Sequence, residues 1–101
     1  MKFIYCTCNV SMLETLIEAL EEVKVREYQV IDKVTAKNKL GDPRFNTPVW
    51  PGYNSAVLIQ VSQDEKAKNV MQRIREMNKE AFNNGEIITA CTWTLDDYCF
   101  E

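Results

Sequence analysis

The sequence predicts an α+β fold with element order βαββαβ, and three observations carry that prediction. Two segments place apolar residues at helical spacing, each behind a Ser-x-x-Glu string. Four short stretches rich in β-branched and aromatic residues surround them. Between the second and third of these lies an insertion, 37–54, that holds all three prolines and two of the three glycines. Long insertions without regular structure are uncommon in small domains and usually serve function.

Residues 2–9 (K-F-I-Y-C-T-C-N) alternate and read as the first strand. Ser11 with Glu14 forms a capping box for the first helix. Its stripe is Leu13, Leu16, Ile17, Leu20 and Val23, and Glu14, Glu18, Glu21 and Glu22 form a solvated acidic face. The second strand covers 27–36, and the third covers 55–61, apolar enough to lie centrally in a sheet. Ser62 with Glu65 repeats the capping box, and the second helix runs to about Asn83. Ala67, Val70, Met71, Ile74, Met77 and Ala81 form its buried stripe, and Asn83-Asn84-Gly85 supplies a left-handed stop. The fourth strand covers 86–95, followed by a polar-aromatic tail.

Two βαβ halves of this kind stack both helices on one face of a four-stranded antiparallel sheet, the ferredoxin-like arrangement. The chain is a single domain over 1–101. The sheet face away from the helices keeps apolar residues whichever parity the strands take. On a small protein such a face marks an interface, so a homo-oligomer is expected.

Composition removes several function classes. A hydrophobic fraction of 46% and a charged fraction of 27% are ordinary for a soluble domain. A net charge of −3 argues against a nucleic-acid partner, which needs clustered excess Lys and Arg. The apolar runs are far shorter than the roughly 20 residues of a membrane helix. No secretion signal opens the chain, so the expected location is the cytoplasm. The absence of histidine and of glycine-rich phosphate loops points to a protein that is not an enzyme.

The two halves, the placement of the insertion and the string T-P-V-W-P-G-Y-N-S-A (47–56) resemble the P-II nitrogen-regulatory signalling superfamily. The string is most similar to the P-II-like branch associated with heavy-metal efflux. That resemblance implies a homotrimer with inward-facing sheets and a small effector in the clefts between subunits. It also implies that the long loop, 37–54, docks on a protein target such as a membrane transporter. Lys37, Lys39 and Gly85 are then the cleft-lining, ligand-binding residues, and an order–disorder change of the loop would be the switch.

Where ATP-binding members carry a glycine-rich loop with a lysine, this chain has Asn83-Asn84-Gly85-Glu86-Ile87. Only Gly85 matches, and Glu86 repels phosphate. Where those members place basic residues after the last strand, this chain has Asp96, Asp97 and Glu101. A nucleotide is therefore disfavoured, and no cofactor is assigned.

Within the loop, Arg44, Phe45, Trp50 and Tyr53 are the expected contacts with a protein partner. Pro48 and Pro51 stiffen the backbone around Trp50 and lower its ordering cost; the same indole could instead plug the loop onto its own sheet. Lys37, Lys39 and Arg44 against Asp42 give the segment a local charge of +2 that could hold an anion. Cysteine supplies the alternative function, a Cu or Zn sensor. Cys6 and Cys8 share a strand face, a neighbouring fourth strand brings Cys91 within reach, and Cys99 could fold back. The same cysteines also read as small core residues. Asp96-Asp97 reads as a turn, and Trp93, Met71 and Met77 read as core or subunit contacts.

Overall fold

The structure, a computed structural model, describes residues 1–35 and 53–99. Strand β1 (Lys2–Asn9) leads through a short 3-10 turn (Val10–Met12) into helix α1 (Leu13–Glu22). Strands β2 (Tyr28–Val34) and β3 (Asn54–Val61) follow, then helix α2 (Asp64–Lys79). A second 3-10 turn (Asn84–Glu86) precedes strand β4 (Thr89–Thr94). The strands form one four-stranded sheet in the order β2-β3-β1-β4, each antiparallel to its neighbours. This is the ferredoxin-like α+β fold, with β3 and β1 in the centre.

Register decides which residues form the core. Ile4 lies opposite Ile59, Cys6 opposite Val57 and Cys8 opposite Ser55. Side chains alternate along a strand, so these six share one face, and all six are buried. Their apolar members join Leu16 and Leu20 of α1 with Val70, Ile74 and Met77 of α2 in one cluster. Each fully buried Leu, Ile or Val side chain contributes about 1.5–3 kcal/mol. An ion pair, Arg73 Nε to Glu22 at 3.2 Å, ties the outer faces of the helices. Both groups are partly exposed, so it is worth at most about 1 kcal/mol.

Neither expected capping box forms. β1 stays paired up to Asn9, and the Asn9 Oδ1 accepts from the Ser11 backbone N–H at 3.0 Å. The chain therefore turns one step earlier, Ser11 falls inside the 3-10 turn, and Met12 is the N-cap of α1. At α2 the N-cap is Gln63, extended and without a side-chain cap bond, because β3 carries the extended backbone to Val61.

Helix α2 also stops at Lys79, short of Asn83, which leaves Ala81 beyond its stripe. The Asn78 side chain explains the early stop: its Nδ2 donates to the Ile88 carbonyl at 2.9 Å, and Ile88 N–H donates to its Oδ1 at 2.8 Å. That two-way clamp draws the chain back toward β4. Asn83-Asn84-Gly85 then enters a 3-10 turn instead of a left-handed stop. β2 and β4 are correspondingly shorter than expected, and β3 starts one residue earlier.

The left-handed stop belongs to α1 instead. Lys24 has φ 69°, the one positive φ among described residues other than glycine. Its N–H donates to the Glu21 carbonyl at 3.0 Å, and Val25 N–H donates to the Leu20 carbonyl at 2.9 Å. These are the two bonds of a Schellman cap, and buried Val25 and Leu20 supply its apolar contact. A β-carbon in this region costs about 1–2 kcal/mol, a cost that glycine removes while giving part of the gain back as unfolded-chain entropy. Lys24→Gly should therefore stabilise the fold by about 0.5–1 kcal/mol, read as a higher midpoint in urea with unchanged slope.

Candidate functional site

Two ends and one face of the sheet remain for function once the helices have covered the other face. At one end, β2 begins, β3 finishes and α2 starts. A groove of about 270 Å³ opens there, lined by Lys24, Arg26, Glu27, Gln60, Ser62 and Lys66. Three cations against one carboxylate give it net positive charge. Lys66 is fixed across it, its Nζ donating to the Lys24 carbonyl at 3.1 Å. An adjoining groove of about 310 Å³ continues past Tyr28, Gln29 and Leu58 to Tyr98 of the C-terminal tail. The two grooves are of like polarity and share Arg26, Glu27 and Gln60, and the cations of the first suit a small anion.

Sequence reasoning missed this groove. Its signal is the string Lys24-Val25-Arg26, in which buried Val25 leaves its two basic neighbours exposed. Lys66 lies far from them in the chain, and nothing local announces that it meets the Lys24 carbonyl.

At the opposite end stand the base of the insertion and the turn before β4. Tyr53 is half-buried, its carbonyl accepts from Val10 N–H at 3.0 Å, and Lys33 Nζ lies 5.1 Å from its ring centroid. Tyr53 thus anchors the insertion to the sheet. Ser55 Oγ donates to the Asp32 carbonyl at 2.7 Å, where β2 bulges between Ile31 and Val34. Gly85 lies in the Asn84–Glu86 turn, and the Glu86 carboxylate accepts from Phe82 N–H at 3.1 Å. Lys37, Lys39, Arg44, Phe45 and Trp50 lie outside the described residues. Gly85 and Tyr53 therefore share an end, and the groove lies at the other.

The face away from the helices carries Phe3, Tyr5, Leu58, Ile31 and Trp93 by register parity. Ile31 is 45% exposed and Trp93 47% exposed. Trp93 packs on Phe3 with ring centroids 4.8 Å apart at 50°. It is thus a residue of this open face, and no part of the single-chain core. Asn54, on the same face, is 1% exposed, and its amide has no hydrogen-bond partner among the described residues. The tail beyond β4 turns at Asp97, whose Oδ1 accepts from Tyr98 N–H at 2.8 Å.

The cysteines do not converge. Cys6 and Cys8 point into the core, whereas Cys91 lies opposite Tyr5 in the ladder and so belongs to the open face. β4 does neighbour β1 as expected, but the parity puts the sheet between the thiols. Cys99 is exposed on the tail. Among the described residues no group of three or more His, Cys, Asp or Glu is placed to hold a metal ion. Burial pushes the Cys6 thiol up to about 12, with Cys8 and Cys91 adding repulsion, and pushes Cys8 up to about 11. Both are thiols and not thiolates near neutrality, poor metal ligands and poor nucleophiles.

Among solved structures the chain is similar to a protein from Thermus thermophilus assigned to the PII-like signalling proteins. The TM-score is 0.65 at 16% identity, over 91% of this chain and 82% of that one. It is also similar to CPII, a nitrogen regulatory PII-like protein from Thiomonas intermedia, in a structure with ADP, AMP and bicarbonate bound. That TM-score is 0.69 at 9% identity, over 95% and 88% of the two chains. The apo form of CPII gives 0.61 at 10% identity, over 91% and 87%. The chain has the PII-like fold. No protein-family model matches it, and no curated protein does. Among the described residues no helix of this PII-like fold is long and apolar enough to cross a membrane.

Thiol chemistry checks the placement of the cysteines. Cys99 should label fast in the native protein, Cys91 should label fast only where the open face is uncovered, and Cys6 and Cys8 should react only after unfolding. The raised thiols also set a pH dependence. Their folded values lie above the ordinary 9.0, so their contribution to stability is complete below pH 9. It is lost as pH rises from 9 toward 12, because the unfolded chain releases those protons first. Denaturant titrations from about pH 8 to about pH 11 should show the decline, and Cys6→Ala with Cys8→Ala should flatten it.

Proposed function

We propose that this chain is a PII-like signal-transduction protein that binds a small anionic effector between the subunits of a homotrimer. Segment 37–54 then controls a target protein, a membrane transporter or another regulator. The observation that carries this reading is the separation of its binding elements. Gly85 and the base of the insertion stand at one end of strands about 25 Å long, and the cationic groove stands at the other. One chain cannot join them. A head-to-tail ring, the heterologous assembly that closes by rotation, brings the end of one copy to the groove of the next.

The open face supports the same assembly, since Phe3, Tyr5, Leu58, Ile31 and Trp93 gain from burial. In the cleft, Lys24, Arg26 and Lys66 of one subunit supply charge. Lys37, Lys39 and Gly85 of the neighbour complete the wall. ADP, AMP and bicarbonate, the ligands of CPII, are all anions, which favours nucleotide phosphate or bicarbonate as the effector class. The cations of the groove do the work that Gly85 and Glu86, without a neighbouring lysine, cannot. Arg44, Phe45 and Trp50 meet the target, with Tyr53 fixing the root of the segment. Signalling requires that effector binding change the segment's affinity for the target, which it does only with a differential affinity for the two states. The protein acts in the cytoplasm as a regulator without a reaction of its own.

Sedimentation should give a species of three times 11.7 kDa. A thermal-shift series of reduced protein with ADP, AMP, ATP, bicarbonate, Cu(I) and Zn(II) should respond to one or more of the anions. Ligand at about 100 times its dissociation constant adds about 2.7 kcal/mol of apparent stability. Arg26→Glu should abolish that response while leaving the unliganded melting temperature unchanged. A response to the soft metals alone, or a protein that sediments as a monomer, would sink the reading.

A further inference from the structure

Asn84 is the only asparagine of the chain that precedes a glycine. That pair carries chemistry of its own, because the backbone nitrogen of the following residue can attack the asparagine side-chain amide carbon. Glycine favours the attack twice over: no side chain blocks it, and the backbone reaches dihedrals that other residues avoid. The fold decides whether the step is open. Asn84 is exposed and begins a three-residue 3-10 turn, Asn84–Glu86. Backbone bonds close the turn, from Glu86 N–H to the Asn83 carbonyl at 3.1 Å and from Ile87 N–H to the Asn84 carbonyl at 3.3 Å. None of residues 81–87 is buried, and the Asn78 clamp on Ile88 anchors the chain just beyond them. Opening such a segment exposes little apolar surface and takes only a fraction of the free energy of global unfolding.

The other described asparagines are held or hindered. Asn54 precedes the small Ser55, yet it is 1% exposed and is paired with Asn9 and Val34 in the ladder. Asn9 is 3% exposed, and its Oδ1 accepts from Ser11 N–H. Asn69 and Asn78 lie within α2, where the helical backbone fixes the following nitrogen. Asn83 is followed by the side chain of Asn84, and in the remaining sequence Asn38 and Asn46 are followed by Lys39 and Thr47.

We infer that Asn84-Gly85 is a site of spontaneous covalent modification, which converts Asn84 to aspartate and isoaspartate. The Gly85 nitrogen bonds to the Asn84 side-chain carbonyl carbon, the bond from that carbon to the amide nitrogen breaks, and ammonia leaves carrying the Gly85 proton. Water then adds to either carbonyl of the succinimide ring and opens it. One water is consumed, one ammonia is released, and nothing is oxidised or reduced. Each event places a new carboxylate beside Gly85 and close to Glu86. The chemistry stands apart from the effector reading above, whereas its consequence rests on it: with Gly85 in the wall of an anion site, the added charge repels the ligand.

Incubation of the reduced native protein in mildly alkaline buffer, followed by digestion and mass spectrometry, should show amide-to-acid conversion at Asn84 alone. An isoaspartyl methyltransferase should label the same peptide. The chain unfolded in urea should convert at Asn54 as well, which separates the protection given by the fold from the reactivity of the sequence. Asn84→Gln should abolish the conversion. Asn84→Asp should weaken binding of ADP, AMP or bicarbonate by about threefold or more in calorimetry, with Asn84→Gln binding as the wild type does. Conversion at another asparagine first, or none at Asn84 in the native protein, would overturn the site. Equal affinities of Asn84→Asp and wild type would overturn the consequence. A wild type that binds none of these anions overturns the effector reading and the consequence together, and the conversion read by mass is still decided on its own.

Discussion

Strand β1 lies between β3 and β4 in continuous antiparallel register, and the parity of that ladder governs everything else in the molecule. Because side chains alternate with period two, one choice of register sends Ile4, Cys6 and Cys8 to the helices and Phe3 and Tyr5 to the opposite face. The core, the open aromatic face and the fate of each cysteine all follow from it. A one-residue slip would expose Ile4, Cys6 and Cys8 and turn polar Thr7 and Asn9 onto the helices. Val57, Ile59 and Val61 alternate in step with β1, so both central strands favour the same register.

The same ladder separates the functional elements. In an antiparallel sheet the C-terminal end of β1 coincides with the start of β3 and β4, where the insertion and the Gly85 turn are rooted. The N-terminal end of β1 coincides with the start of β2 and the finish of β3, where the cationic groove opens. On the proposed reading a protomer presents half a site at each end. Cleft and assembly become one question, because a ligand that needs both halves can bind only where two copies meet.

Much of this fold was legible, and the misses have local causes. Element order, the central position of β3 and most of both helical stripes followed from spacing, since burying one face of a helix or strand leaves a periodic mark; Ile17 and Ala81 fell outside the core, and Ala19 entered it unexpected. The caps did not follow. Ser11 and Ser62 carry the right chemistry at the right spacing, yet Met12 is the N-cap of α1, behind a 3-10 turn capped by Asn9, and Gln63 is the N-cap of α2. Which residue caps a helix depends on where the preceding strand releases the chain, and ladder pairing decides that. The end of α2 was likewise set by Asn78 reaching Ile88, a bond between elements. Lys24 in the left-handed region shows the same override, for the cap geometry forms there without a glycine.

By itself, the sequence determined the composition of the layers: which residues are apolar enough to need burial, and with which period. It also marked 37–54 as a poor candidate for a strand, through prolines that cannot donate to a ladder. It could not determine parity, because Cys6, Cys8 and Cys91 satisfy an alternating pattern on either face. Only the tertiary structure sent Cys91 to the side opposite Cys6, and only it brought Lys66 to the carbonyl of Lys24. Periodicity is a property of neighbours in the chain, whereas a site is a property of neighbours in space.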